Sequence, residues 1–480
     1  MFTLHQDRIR PGVFKKNVGG GKTVVDVILS FFQFISNLGP SVMMPIIMLI
    51  LGLALGAPFG KSLRAGLTVG VGFIGLGLVT GLLGGSLGPA VQEMVARYGL
   101  KLDAVDIGWV ASAAIAFASQ VGTFIIPIGI TINVVMLLTK TTQTINVDIW
   151  DYWHFAFTGA IVQSYTGSIW MGIAAAALNM VIIMILGDWT APGLEKYNGL
   201  PGISLPHGFT TAFVPFAYLF CGIIDKIPGL SNVKVDMEKI QRRLGVFGEP
   251  ILIGLVFGIV IGIIAGYDVF GVTTLGMSLA ACLVLIPKMA ALLMEGLIPV
   301  SDAAQVFIEK RIKGGGKIYI GLDSAVGIGH PICMTSALIL VPVSILLAVL
   351  LPGNRVLPFA DLAVIPWMFV LFIPAAKGDF MRSLVSGFFT LIIMLYMGTD
   401  MVDTFVKAAV AADPASYAAA GNFSSLCDGS NPMTWAFFRM SGLGWLGIGV
   451  IAAIGVAMAV YNRKKIIKEA NEMASADIAA

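Results

Sequence analysis

The stretch GISLPHGFTTAFVPFAYLFCGIID, residues 202–225, sets an imidazole, His207, between a proline and a glycine and then runs on as apolar sequence. The chain has 4 histidines in 480 residues, so a titratable ring at the edge of an apolar run needs a physical reason. In lipid, irregular backbone is tolerated at depth only where it is buried in protein or lines a wet cavity. The stretch therefore reads as a helix interruption at a polar, membrane-embedded pocket, with Pro206 and Gly208 supplying the break.

Working outward, the composition agrees. The chain is 57% hydrophobic and 12% charged, with a mean hydropathy of +0.90, whereas soluble domains carry about 25% charged residues. A soluble fold could not hide this much apolar surface. The net charge of +3 implies no acidic partner, and the basic residues fall in short inter-span loops, which leaves nucleic-acid binding without a footprint. The 57 glycines suit close helix packing. Cys221, Cys282, Cys333 and Cys427 show no metal or CxxC spacing, and three of them lie in or beside apolar runs. No cleavage site follows the first apolar run, so a removed signal peptide is not expected.

Apolar runs long enough to span fall near 38–56, 66–84, 109–138, 209–224, 250–267, 271–294, 332–351, 359–376, 383–399 and 435–460. The segment 150–186 is one broken helix or two short ones around QSYTGS, residues 163–168. The expectation is an all-α polytopic membrane protein of about 11 transmembrane helices, or twelve. The divisions are an N-terminal extension (1–37), a first membrane half (38–224), a cytoplasmic loop (225–247), a second half (248–460) and a cytoplasmic tail (461–480). The positive-inside rule puts the basic tail YNRKKIIKEA and the basic loops 225–247 and 295–317 on the cytoplasmic side. The basic N-terminus asks for six spans before residue 225 and the resemblance described below asks for five; five are taken.

The halves repeat. Pro40 and Pro250, and Pro89 and Pro299, stand 210 residues apart, and after a further gap Thr210, Ala212 and Phe213 match Thr434, Ala436 and Phe437. That register sets PHG (206–208) against SNP (430–432) and pairs His207 with Asn431. An odd number of spans per repeat makes the halves inverted.

Intramembrane polar groups are costly and mark sites. Gln120 lies inside a long apolar run. Asp148, Asp151 and His154 sit among Trp150, Tyr152 and Trp153, and Asp323 and His330 flank a glycine-rich segment. Glu249 precedes Pro250 at a helix start, where its charge would suit the helix dipole, and Asp148 and Asp361 read first as helix caps. His154 reads equally as an interfacial ring in an aromatic belt, and Gln120 as a helix–helix hydrogen bond. Carboxylates, amides and imidazoles hold hydroxyl-rich ligands by directional bonds. No metal is expected, because the histidines are too dispersed for an i, i+4 ligand pair. No phosphate loop or GxSxG elbow occurs, and no cofactor is implied.

Taken in order, NVDIW (146–150), PHG (206–208), IQRRLGVFGEP (240–250), AGYDV (265–269), GLD (321–323) and LPGNRVLPFADLA (351–363) resemble the galactitol-type permease subunit IIC of the bacterial phosphotransferase system, in the ascorbate/galactitol superfamily. The similarity runs from about Leu38 to the tail; residues 1–33 are an extension outside it. The resemblance implies a homodimer in the bacterial inner membrane, with a core domain of broken helices moving elevator-like against a dimerising domain. It implies a polyol substrate, galactitol first, phosphorylated by a separate phosphocysteine IIB protein that is itself served by IIA. It places His207 and Asp323 at the substrate site, with Asp323 the first choice and His207 the second for accepting the hydroxyl proton. Gln120, His154, Glu249, His330 and Asn431 follow as further substrate-binding residues. The basic loops read as a IIB docking surface or as ordinary positive-inside bias. The alternatives are an ion-coupled secondary transporter of a polyol or sugar, in which Asp323 or Glu249 binds a proton or sodium ion, and a scaffold or channel.

Overall fold

The computed structural model describes residues 40–98, 102–146, 148–227, 249–309 and 318–479. The extension 1–37, nearly all of the loop 225–247 and the basic segment 310–317 lie outside the described residues.

Two long helical hairpins form one group. Helices α1 (Pro40–Ala54) and α2 (Phe59–Tyr98) come from the first half of the chain, α8 (Pro250–Ala265) and α9 (Val269–Glu309) from the second. Pro40 and Pro250 each open their helix, where the missing N–H costs nothing. The four helices pack on one another, α2 and α9 most extensively. Glycines set the spacing: a Cβ on Gly254 would lie 2.7 Å from Leu279 O and one on Gly258 2.8 Å from Leu275 O, so α8 approaches α9 backbone to backbone. Both long helices exceed the expected spans. α9 continues to Glu309, so the first part of the expected loop 295–317 is helix.

The remaining helices enclose the polar centre: α3 (Trp109–Ala118), α4 (Gln120–Leu138), α5 (Tyr152–Thr166), α6 (Ile169–Gly193), α7 (Val214–Ile224), α10 (Pro331–Leu350), α11 (Ile365–Ala375), α12 (Phe380–Ala412), the single turn α13 (Pro414–Tyr417), α14 (Pro432–Ser441) and α15 (Trp445–Ala479). Breaks fall where the sequence supplies them. Ser119 turns extended between α3 and α4 and caps α4 by accepting from Gly122 N, so 109–138 is two helices. Gly167, at φ 73°, ends α5 inside QSYTGS, as that motif suggests. Among the described residues, α4, α6, α10, α12 and α15 are long and apolar enough to cross a membrane, and α3, α7 and α11 belong to shorter apolar helices.

Six short strands join the helices, a feature the apolar pattern hides. β1 (Ala104–Asp106) pairs in parallel with β5 (Val356–Leu357) and β6 (Phe423–Ser424). β4 (Tyr319–Gly321) pairs in parallel with β2 (Thr144–Asn146) and β3 (Ile203–Ser204). Each sheet thus has its central strand from one half of the chain and its edges from the other. With two or three residues per strand, the sheets serve as registration points that place the loops leaving β3, β4 and β6.

Candidate functional site

Those loops converge with the start of α5. The turn after β3 carries His207, the turn after β4 carries Asp323, the loop after β6 carries Asp428, and α5 brings His154 with Asp151 just before it. His154 and His207 lie with ring centroids 4.6 Å apart, and Trp153 stacks on His154 at 3.8 Å. Gly208 permits the approach: a Cβ there would come 2.2 Å from His154 Cβ.

His207 has a defined tautomer. The backbone N–H of Thr210 donates to Nδ1 at 3.2 Å, so the neutral ring carries its proton on Nε2. That nitrogen lies 3.5 Å from Asp323 Oδ1 and 3.6 Å from Asp151 Oδ1. Asp323 also accepts from Ala325 N at 2.8 Å, capping the 3-10 turn Ser324–Gly327. It is 23% exposed, whereas His207 and Asp151 are buried, so the site opens past Asp323. His154 Nδ1 and Asp428 Oδ2 share a 2.6 Å hydrogen bond. Asn431 caps α14 by accepting from Met433 N and Thr434 N, and its amide donates to Gly208 O at 2.9 Å. The two residues matched by the internal repeat therefore meet through Gly208.

Thus His207, Asp323, His154 and Asn431 come together. Among the described residues, Gln120, Glu249 and His330 make no hydrogen bond or ion pair with this cluster. Gln120 accepts from Gln163 Nε2 at 2.7 Å at an exposed position, which agrees with the helix–helix hydrogen bond read from sequence. Glu249 is exposed at the N-cap of α8 and makes no side-chain cap bond. His330 caps α10 by accepting from Ile332 N. His154 is buried, which replaces the reading of an interfacial belt ring. Asp361 is a cap, but of a helix distant in sequence: it accepts from Trp109 N at the start of α3, and from Ser425 Oγ and Cys427 N. Asp148 also acts as a cap, accepting from the backbone of Trp150 and Asp151 at the turn that leads into α5, and its carboxylate lies within 4.8 Å of those of Asp151 and Asp323. Sequence reasoning passed over Asp428 entirely and noted Asp151 only as part of a cluster. Asp428 stands in the short polar run SSLCDGS, 274 residues from His154, with no local signal for the pairing.

Fold and sequence spacing differ on one point. No i, i+4 histidine pair exists, yet Asp151, His154 and His207 do come within 4.8 Å of one another. The tautomer of His207 speaks against a nitrogen-ligated metal there, because its Nε2 is protonated and its Nδ1 is taken by Thr210. All four cysteines are free and buried, matching the reading of the apolar-run thiols as small hydrophobes.

Chemically, the cluster offers carboxylate acceptors and one fixed imidazole N–H donor, with His154 held against the buried Trp153 ring. Among the described residues, no Lys or Arg pairs with any of these carboxylates. Such a set suits a neutral polyhydroxylated ligand.

A family model described as "PTS system sugar-specific permease component" matches residues 33–425. The "PTS system galactitol-specific EIIC component" of Escherichia coli K12 is 38% identical over 441 residues, covering 91% of this chain and 97% of the relative. A "Putative permease IIC component" of the same strain is 38% identical over 438 residues, covering 91% of this chain and all of the relative.

Proposed function

The chain belongs to the EIIC-GAT family of sugar-specific permease components of the phosphotransferase system, and from that premise we propose that the His207–Asp323 cluster is where it binds galactitol for transport and phosphorylation. The observation that carries the assignment is the set of His207, Asp323, Asp151, His154 and Asp428 at the meeting point of loops from both halves, buried except at Asp323 and paired with no Lys or Arg among the described residues. Its donors and acceptors match hydroxyls. Galactitol-specific relatives support the choice of polyol.

The partner protein IIB presents a phosphocysteine from the cytoplasm. Its S–P bond breaks as an O–P bond to a polyol hydroxyl forms, the cysteine leaves as thiolate, and the hydroxyl proton passes to Asp323. Asp323 suits this role because it borders the opening and is a pure acceptor when ionised. His207 is assigned to holding a hydroxyl or a carboxylate and not to proton abstraction, since neither ring nitrogen has a free lone pair. His154 is placed by Asp428, and Asn431 positions the His207 turn through Gly208 O.

Two structural statements belong to the same proposal. The chain comprises about 11 spans in two inverted halves, a reading supported by the exchange of strands: β1 stands between β5 and β6 as β4 stands between β2 and β3. The protein is a homodimer in the bacterial inner membrane with its C-terminus cytoplasmic, and its core moves elevator-like against the four-helix group.

Calorimetric titration of the purified protein with galactitol, and with sorbitol as competitor, tests the site. His207→Ala and Asp323→Ala are each expected to weaken galactitol binding by at least about tenfold, the loss of roughly one charge-assisted hydrogen bond. Folded variants that bind like the wild type would remove both residues from the site. Product formed only with phosphorylated IIB separates this function from ion-coupled transport, which would accumulate unmodified polyol.

A further inference from the structure

The cluster contains a feature that polyol binding does not explain. Asp151 is 1% exposed, yet neither of its carboxylate oxygens has a hydrogen-bond partner. His207 Nε2 lies 3.6 Å from Asp151 Oδ1, beyond bonding distance. Its carboxylate also faces two others: oxygens of Asp148, Asp151 and Asp323 lie within 4.8 Å of one another. Among the described residues, no Lys or Arg forms an ion pair with any of the three. Burying a carboxylate without a partner costs several kcal/mol, and like charges at this separation raise the cost further.

We propose that Asp148, Asp151 and Asp323 form an oxygen cage for a hard divalent cation, of the magnesium or calcium class, beside the bound polyol. The donor set decides the class. Three carboxylates are hard ligands, whereas zinc and the later transition metals favour the imidazole and thiolate that this cage lacks. The dimensions fit: oxygens on opposite sides of such a cation lie roughly 4 to 5 Å apart, so the three carboxylates can close on an ion with small side-chain adjustments. The Nε2–H of His207 points toward Asp151 and Asp323 and would orient the cage from outside it. Vicinal hydroxyls are neutral oxygen ligands and can complete the coordination.

This inference rests on the proposed polyol site and adds a reason for its acidity. A phosphoryl group approaching these uncompensated carboxylates is repelled. A divalent cation reverses the local field and makes the coordinated hydroxyl a better acid.

The test uses the intact chain in detergent after treatment with EDTA, titrated separately with CaCl2, MgCl2 and NaCl, and then with galactitol in the presence and absence of the bound ion. The expected result is one saturable divalent site, no equivalent response to sodium, and galactitol affinity at least about tenfold higher with the ion, the usual scale for a metal's supporting contacts. Asp151→Asn and Asp148→Asn should each weaken the ion by a similar factor, while Asp103→Asn, distant from the cage, should leave it unchanged; thermal unfolding checks that each variant is folded. Galactitol binding that is indifferent to EDTA, with no divalent heat, overturns the cage and leaves the polyol site standing. Ion binding that survives both substitutions also overturns it, by placing the ion elsewhere. An ion that binds and depends on Asp151 while galactitol is ignored upholds the cage and removes the polyol assignment.

Discussion

Gly208 shows how closely one residue can govern this site. The ring of His154 occupies the space a side chain at 208 would need, with Cβ and Cγ at 2.2 and 2.8 Å from the position of an added Cβ. Both neighbours are anchored: His154 to Asp428, and the 208 carbonyl to Asn431. Gly208→Ala therefore forces one of them to move. We expect a destabilisation of about 1 to 3 kcal/mol, the range for overpacking, with loss of galactitol binding. Thermal unfolding and calorimetry on the same preparation measure the two effects, and a variant that melts and binds like wild type refutes the crowding argument. At this scale the sequence was partly legible. His207, Asp323, His154 and Asn431 are polar groups at breaks in apolar runs, and lipid makes that placement expensive enough to be a signal. Asp428 lies in a stretch polar enough to pass for a loop, and its meaning comes from a partner 274 residues away. Gln120, Glu249 and His330 carry the same signal as that cluster, because a helix start or break exposes a polar side chain whether or not a ligand is near.

Among elements, α3 depends on a residue remote from it in sequence. Asp361 accepts from Trp109 N, Ser425 Oγ and Cys427 N, and so ties the start of α3 to the loop after β6. Asp106 holds the same junction from the other side, accepting from Gly108 N, Phe359 N and Asp361 N. The residue after Cys427 is Asp428, which positions His154, so the cap is connected to the site by one peptide unit. Asp361→Ala leaves buried donors without acceptors, at about 1 to 3 kcal/mol each. The expected outcome is a clear fall in melting temperature together with weaker galactitol binding, although Asp361 bonds Trp109, Ser425 and Cys427 and not the residues of the proposed site. Unchanged affinity in a destabilised variant would show that the two are not connected. The helices themselves were readable from hydropathy, including the Gly167 break. The strands were not. Two or three residues in a buried parallel strand have no alternation to detect, and their pairing is set by contacts between the two halves. Helix ends were also underestimated, since α2 and α9 continue beyond the apolar core on sequence that hydropathy reads as loop.

Across the whole molecule, charge marks two levels on one helix. Near the start of α12, Arg382 pairs with Asp225 at 3.0 Å. Toward its other end, Asp403 joins Arg355, which also pairs with Asp103 at 2.8 Å. The helical rise between residues 382 and 403 is about 31 Å, close to the roughly 30 Å of a bilayer's hydrocarbon core. The apolar length of α12 thus separates two ionic belts, one at Asp225 and the other at Asp103. There the Arg355 guanidinium, hydrogen-bonded to Asp103, holds its carboxyl below the ordinary carboxylate value. Asn422 acts in the same direction and partial burial opposes both. A carboxyl whose folded value is lowered contributes stability above its unfolded value, near about 3.9, and that contribution is lost as pH falls through the lower folded value. The pair is partly exposed, so its contribution at neutral pH is at most about 1 kcal/mol. Wild type and Asp103→Asn should therefore differ by at most about one degree in melting temperature at pH 7. The two curves should converge as the pH falls below about 4, where the wild-type carboxyl takes up its proton. Nanodisc samples melted across that range measure the convergence. A gap that stays constant with pH would mean that the substitution acts through packing and not through the charge of Asp103.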